Sequence, residues 1–167
     1  MEDLEKLKNQ ILSLVGEYSK KENANKPFIG GITHIPVTGK VVDEDDIKNL
    51  VESSLDGWFT SGHFTDKFEK KINSFLGTRH TLFVNSGSSA NLIAISALKE
   101  LYDIQDGDEV ITCAVGFPTT INPIIQNNLT PVLVDADIKT YNINPDLVEA
   151  SITNKTKGIL ICNPNNP

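Results

Sequence analysis

An α/β fold, a parallel sheet wound by right-handed crossovers, is what the 167-residue sequence predicts, and three observations carry it. β-rich runs at 81–84, 109–113, 131–134 and 158–162 begin 28, 22 and 27 residues apart. Each interval has room for the helix that parallel strands require between them. The first 80 residues, by contrast, carry helical apolar spacings broken by one Gly/Pro-rich stretch.

Taken in chain order, Leu4, Leu7, Ile11, Leu14 and Tyr18 fall at alternating spacings of three and four, one apolar stripe with Glu5, Lys6, Lys8 and Glu17 facing water. The spacing predicts an amphipathic helix that docks through this stripe. Polar residues at 20–26 end it, and 27–40, with three Gly and two Pro, is an extended connection, so residues 1–40 form an N-terminal helix and linker. Asp43, Glu44, Asp45 and Asp46 precede Ile47, Leu50, Val51 and Leu55, and acids there complement a helix N-terminus. A cation site is the weaker alternative, since no calcium-loop spacing is present. A third helix carries Phe64, Phe68, Ile72, Phe75 and Leu76 on one face and stops at Gly77. Between the first two strands, 90–101 is apolar on nearly every side, which predicts a helix covered on both faces. The last strand runs into Asn163-Pro164-Asn165-Asn166-Pro167 with no closing helix, so a chain cut short is expected.

The formal charge of −7 gives no electrostatic footing for a phosphate backbone, which argues against nucleic acid as a partner. No run approaches the roughly 18 apolar residues of a membrane span, and the start has no signal-peptide pattern, so a cytoplasmic protein with no membrane partner is expected. Cys113 and Cys162 lie within apolar runs and read as reduced thiols. His34, His63 and His80 lack partners at ligand spacing, so no metal site is expected within the chain.

Ligands of open α/β sheets bind beyond the carboxyl ends of the strands. After the first run, Asn85-Ser86-Gly87-Ser88-Ser89-Ala90-Asn91 leads into a helix; small residues, hydroxyls and unpaired N–H groups there suit an anion such as phosphate. An ordinary serine N-cap explains the same string equally well. After the second, Phe117 either stacks on a flat ligand or is a core ring beside Pro118 at the first helical position. After the third, Asp135 and Asp137 orient a ligand or, more commonly, cap a turn.

The strings GWFTSG at 57–62, FVNSGSSAN at 83–91, GDEVIT at 107–112, GFPTT at 116–120 and PVLVDAD at 131–137 together resemble the DegT/DnrJ/EryC1/StrS sugar aminotransferase family. The N-terminal helix, the 27–40 connection, SLDGWFTSGHFTDKFEKKI and the SGSSAN and GFPTT variants resemble most its CDP-4-keto-6-deoxyglucose 3-dehydrase branch, of lipopolysaccharide biosynthesis. The resemblance implies an aspartate-aminotransferase-like fold, PLP fold type I, with 41–167 the first part of an incomplete large domain behind the N-terminal helices. It implies pyridoxamine or pyridoxal 5′-phosphate as cofactor, its phosphate held at Gly87, Ser88 and Ser89 and its ring stacked on Phe117. The loop bearing Trp58, Gly62 and Phe64 would lie near the sugar nucleotide. The family's catalytic lysine, histidine in the dehydrase branch, and its pyridine-nitrogen aspartate would lie beyond Pro167. So would the cysteines of a [2Fe-2S] cluster, which Cys113 and Cys162 do not match. The ending ICNPNNP departs from the branch and is similar to the NPxNP turn of the wider superfamily.

The activity so implied is removal of the C3 hydroxyl from a CDP-4-keto-6-deoxy-hexose by a homodimer served by a ferredoxin-type reductase. The alternatives are a keto-sugar nucleotide transaminase and a non-catalytic truncated product. By itself the 167-residue chain is expected to be inactive.

Overall fold

A computed structural model describes residues 2–22 and 27–165, and the chain divides into two compact units, Met1–Phe83 and Val84–Pro167. Among the described residues the first holds three helices: α1 (Glu2–Glu22), α2 (Glu44–Leu55) and α3 (His63–Leu76). The acidic run starts α2 as its composition predicts. Asp43 is the N-cap, its carboxylate accepting from the N–H groups of Asp45 and Asp46 at 2.9 and 3.0 Å, and the Asp46 carboxylate accepts in return from Asp43 N–H at 3.0 Å. Gly77 ends α3 at φ 69°, the left-handed position that favours glycine.

Docking of α1 on α2 differs from expectation. Leu4, Leu7, Leu14 and Tyr18 stay exposed, while Gly16 and Ser19 of the adjoining face are buried. A Cβ on Gly16 would lie 2.5 Å from Lys48 Cε, so glycine admits the α2 side chain. Ion pairs then fix the face: Lys8 to Glu52 at 2.9 Å, and Lys20 and Lys48 to Glu44 at 3.0 Å each. Charge and backbone approach thus select a face about a quarter-turn away from the apolar stripe.

The second unit holds α4 (Gly87–Leu101), β1 (Glu109–Cys113), α5 (Pro118–Gln126), β2 (Thr130–Val134), α6 (Pro145–Ala150) and β3 (Thr156–Leu160). The strands form a parallel sheet in the order β2-β1-β3, with Ile111 opposite both Val132 and Ile159. The crossover from β1 to β2 and the one from β2 to β3 run in opposite directions across the sheet, so right-handed connections place α5 and α6 on opposite faces. The core is Ile95, Val110, Ile124 and Leu129, joined by Ile104 and Leu160. Thr112 is fully buried and donates its hydroxyl to the Leu160 carbonyl at 2.8 Å.

Among the described residues the sheet has three strands, and 81–84 is not one of them. Phe83 N–H donates to the Glu69 carboxylate at 2.8 Å, and its ring meets Phe68 edge-on at 5.1 Å. Its bonding is therefore with α3 rather than with a neighbouring strand. β1 matches its expected limits, and β2 begins one residue earlier than expected. β3 begins two earlier, because its ladder is set by β1, from Glu109 opposite Thr156 to Thr112 opposite Leu160. The helix expected at 90–101 starts at Gly87 and is covered on one side only: Ile95 is buried, whereas Ile93, Leu98 and Leu101 are exposed. No described helix is long and apolar enough to cross a membrane.

Truncating Ile124, which has no exposed surface, leaves a cavity beneath α5. Ile124→Ala is expected to lower unfolding free energy by about 2–5 kcal/mol, read from the urea midpoint at unchanged slope.

The α1–α2 ion pairs also set a pH window. Hydrogen bonds from Lys48 and then Lys20 hold the Glu44 carboxyl below its ordinary range, and Lys8 does the same for Glu52. Reciprocally, Glu52 raises Lys8 and Glu44 raises Lys48. The carboxylate contribution is present above the unfolded value and lost as pH falls through the depressed folded one; the lysine contribution is present below the unfolded value and lost as pH rises through the raised one. Amide protection of α1 is expected to be greatest between about pH 5 and 9. Glu44→Gln should flatten the acid limb.

Candidate functional site

Two concavities, one in each unit, gather five of the residues singled out in the sequence: Ser88 and Ser89 line one, and Trp58, Gly62 and Phe64 the other, while Gly87 and Phe117 line neither. In the second unit, Ser86 is the N-cap of α4, with its hydroxyl oxygen accepting from Ser89 N–H and paired with Ser89 Oγ, both at 3.2 Å. The cap takes one orphan donor and leaves the N–H groups of Gly87 and Ser88 with no intrahelical acceptor. Cap and anion cup are thus compatible parts of one turn.

α5 begins beside this turn. Asn91 Nδ2 donates to the Thr119 carbonyl at 3.2 Å near the start of both helices. At their far ends, Ser96 Oγ bonds Asn127 Oδ1 at 2.8 Å and Lys99 Nζ bonds the Asn127 carbonyl at 2.7 Å. α4 and α5 therefore run parallel, and both start at the carboxyl end of β1. Two helix N-termini at one place add their positive ends. Between them lies a groove of about 280 Å³ lined by Ser88, Ser89, Leu92, Thr119, Asn122, Pro123 and Gln126.

Phe117 is the N-cap of α5 and Pro118 its first residue. The ring is 53% exposed, so it is not a core residue. The groove wall beside Ser88 and Ser89 is Thr119 rather than the Phe117 ring, which sits two residues earlier on the same turn. Of the two strand-end carboxylates, Asp137 caps a turn. Its carboxylate accepts from Lys139 and Thr140 N–H at 2.9 Å each, and these bonds hold it below the ordinary carboxylate range.

Three contributors escaped the sequence reading. Thr119 and Asn91 carry the bond between the helix starts, and a single amide within an apolar helix was the available signal for Asn91. Asn165 donates from Nδ2 to the carbonyls of Val115 at 3.1 Å and Tyr141 at 2.8 Å, tying the loops after β1 and β2. Only the turn composition of the Pro/Asn tail hinted at it.

In the first unit, Trp58, Gly62 and Phe64 line one pocket of about 480 Å³ together with Ser53, Asp56, Thr60, His63 and Thr65. Trp58 Nε1 donates to the Ser61 carbonyl at 2.8 Å, folding the loop back on its indole. A Cβ on Gly62 would lie 3.0 Å from Trp58 Cδ1, so a side chain there would displace the ring. His63 Nδ1 lies 3.4 Å from the Asp56 carboxylate at the pocket's edge.

Comparison with known proteins matches residues 40–164 to the DegT/DnrJ/EryC1/StrS aminotransferase family. Lipopolysaccharide biosynthesis protein RfbH of Salmonella typhimurium is 50% identical over 93% of the chain and 36% of its own length. dTDP-4-dehydro-2,6-dideoxy-D-glucose 3-dehydratase of Saccharopolyspora spinosa is 45% identical over 92% of the chain and 34% of its own length. Among solved structures, E. coli GDP-4-keto-6-deoxy-D-mannose-3-dehydratase with bound hydrated PLP superposes with a TM-score of 0.68 at 31% identity, over 75% of the chain and 33% of that enzyme. The chain spans about a third of the length of the curated relatives it matches. Its α/β fold is that of the PLP-dependent fold type I sugar enzymes, as its motifs implied.

The Ser86 cap separates stability from anion binding. Ser86→Ala is expected to cost about 1 kcal/mol. Ser86→Asp should keep the cap and stay within about 0.5 kcal/mol of the parent in urea unfolding. It places a negative charge beside Gly87 and Ser88, and should therefore weaken any anion bound there.

Proposed function

The chain belongs to the DegT/DnrJ/EryC1/StrS aminotransferase family, and we propose that it is the part of a sugar 3-dehydrase that grips the phosphate of pyridoxamine or pyridoxal 5′-phosphate. The observation that carries this reading is the double helix start: free N–H groups at Gly87 and Ser88, with the Ser88 and Ser89 side chains bordering a groove. A phosphate monoester fits that donor set in charge and in hydrogen-bonding capacity. Phe117, exposed at the neighbouring helix start, offers the flat apolar face a pyridine ring needs.

The substrate proposed is a CDP-4-keto-6-deoxy-hexose, from which the C3 hydroxyl is removed in lipopolysaccharide biosynthesis. Support for a dehydrase rather than a transaminase comes from two 3-dehydratases, of Saccharopolyspora spinosa and E. coli, and support for the pathway from the RfbH likeness. The named dehydratases take dTDP and GDP sugars, so the cytidine is carried by the branch resemblance alone. When bound, the cofactor would supply an amine for the C4 ketone and a conjugated ring that delocalises the electron pair released by deprotonation, the pair that expels the C3 hydroxyl as hydroxide.

The chain's own residues anchor and orient. Gly87, Ser88 and Ser89 fix the phosphate, and Phe117 sets the plane of the ring. Thr119, through its carbonyl bond to Asn91, holds the two helix starts together. The pocket of Trp58, Gly62 and Phe64 is assigned to the sugar nucleotide. The proton-transferring group is assigned to the part of the enzyme after residue 167, and the working enzyme is taken to be a cytoplasmic homodimer.

Titration of pyridoxamine 5′-phosphate into the purified chain, followed by its fluorescence, is expected to give saturable binding. Ser88→Ala with Ser89→Ala, and separately Ser86→Asp, should each weaken it at least about tenfold, about 1.4 kcal/mol. Phe117→Ala should weaken it less. Binding insensitive to all three changes would refute the site. With CDP-4-keto-6-deoxyglucose added, no substrate should be consumed; consumption would show that a catalytic group lies within the chain.

A further inference from the structure

Phe117 is 53% exposed and makes no ring contact among the described residues. A stacking face binds best when its plane is set before the ligand arrives, and for an exposed ring on a loop that task falls to the backbone on either side. Downstream the backbone is fixed, because the Phe117 carbonyl accepts from Thr120 N–H at 3.0 Å as α5 opens. Upstream, Ala114 N–H donates to the Val134 carbonyl at 2.8 Å and closes the ladder of β1 with β2. Val115 and Gly116 are the stretch between these two fixed points.

We propose that Asn165 is the positioning residue for the Phe117 ring. Its Nδ2 donates to the Val115 carbonyl at 3.1 Å, the one hydrogen bond that Val115 and Gly116 make among the described residues. The Oδ1 end of the same amide lies 3.5 Å from where a Cβ on Gly116 would stand. The carboxamide therefore lies along both residues that lead into Phe117, and the ring's approach is held at every residue from Ala114 onward.

The far anchor of this amide is itself unusual. Nδ2 also donates to the Tyr141 carbonyl at 2.8 Å, and Tyr141 stands at φ 57°, in the left-handed region. Asp103 and Asn128, the other described non-glycine residues with positive φ, are of types that enter this region more readily than a bulky aromatic does. Such a backbone persists where its surroundings over-determine it, and here the Tyr141 N–H also donates to the Asp137 carbonyl at 2.8 Å. Both protons of the Asn165 amide are thus committed to carbonyls, one on each side.

This role rests on Phe117 as the cofactor's stacking face, and it gives Asn165 no contact with the ligand. An amide that acts through the ring loses its effect once the ring is gone. Pyridoxamine 5′-phosphate is titrated into the purified chain and followed by its fluorescence. Asn165→Ala should weaken binding about threefold in the parent and leave it unchanged in a Phe117→Ala chain. Inorganic phosphate, measured by competition, should bind the parent and Asn165→Ala equally, since Gly87, Ser88 and Ser89 are untouched. A loss of equal size in both backgrounds, a parallel loss of phosphate binding, or no loss at all would each overturn the proposal.

A second readout needs no ligand. Trp58 is the only tryptophan of the sequence, so a Trp58→Phe, Phe117→Trp chain carries a single indole, at position 117. Its residual fluorescence anisotropy on the nanosecond scale should fall when Asn165→Ala is added, with the helical circular dichroism unchanged. Anisotropy that does not change overturns the proposal, whatever binds. Should the parent take up no pyridoxamine phosphate, the cofactor reading fails, and the anisotropy alone decides for or against Asn165.

Discussion

The burial of Ile95 against Val110, Ile124 and Leu129 is the contact on which the second unit's geometry depends. It brings one residue from α4, one from β1, one from α5 and the residue leading into β2 to a common centre, and so fixes the axial position of α4 on α5. Once that register is set, the paired helix starts face the sheet's carboxyl edge. A shift of one turn, about 5.4 Å, would part Asn91 from Thr119 and the serines from their groove. The paired helix starts are therefore a product of apolar packing one turn and more below them, not of the Ser/Gly string alone.

Much of this was legible in the sequence where local chemistry decides. Asp43 with Asp46, Gly77, Ser86 and Pro118 each act within a single turn, and each sits in the role its residue type implies. Strand limits were legible where one strand governs: β1 lies at the centre of the sheet and matched, whereas β3 took its limits from β1. The run at 81–84 shows the opposite case. Its β-branched and aromatic residues satisfy a strand's composition, but Glu69 of α3 accepts the Phe83 N–H that a neighbouring strand would have taken, and Asn73 accepts the Thr81 hydroxyl. Which neighbour a backbone will meet is not encoded in its own residues.

The same distinction governs α1. Periodicity located its stripe correctly, yet periodicity does not say which surface will arrive. α2 brings acids to Lys8 and Lys20 and a lysine to the small side of Gly16, and the helix meets it there. Exposed ion pairs are individually weak. Here several act along one seam with a glycine that allows close approach, and together they choose the face. The motif residues fared differently: Trp58, Gly62 and Phe64 share a pocket because the seven-residue loop between α2 and α3 folds back on one indole bond.

Asn165 has a mechanical consequence. Its one amide group spans the loops that follow β1 and β2, so the rim of the crevice is a closed loop of bonds rather than two independent flaps. Strain applied at either flap reaches the other within a single side chain. A displacement of the Val115 loop that keeps this amide engaged carries the segment around Tyr141 with it.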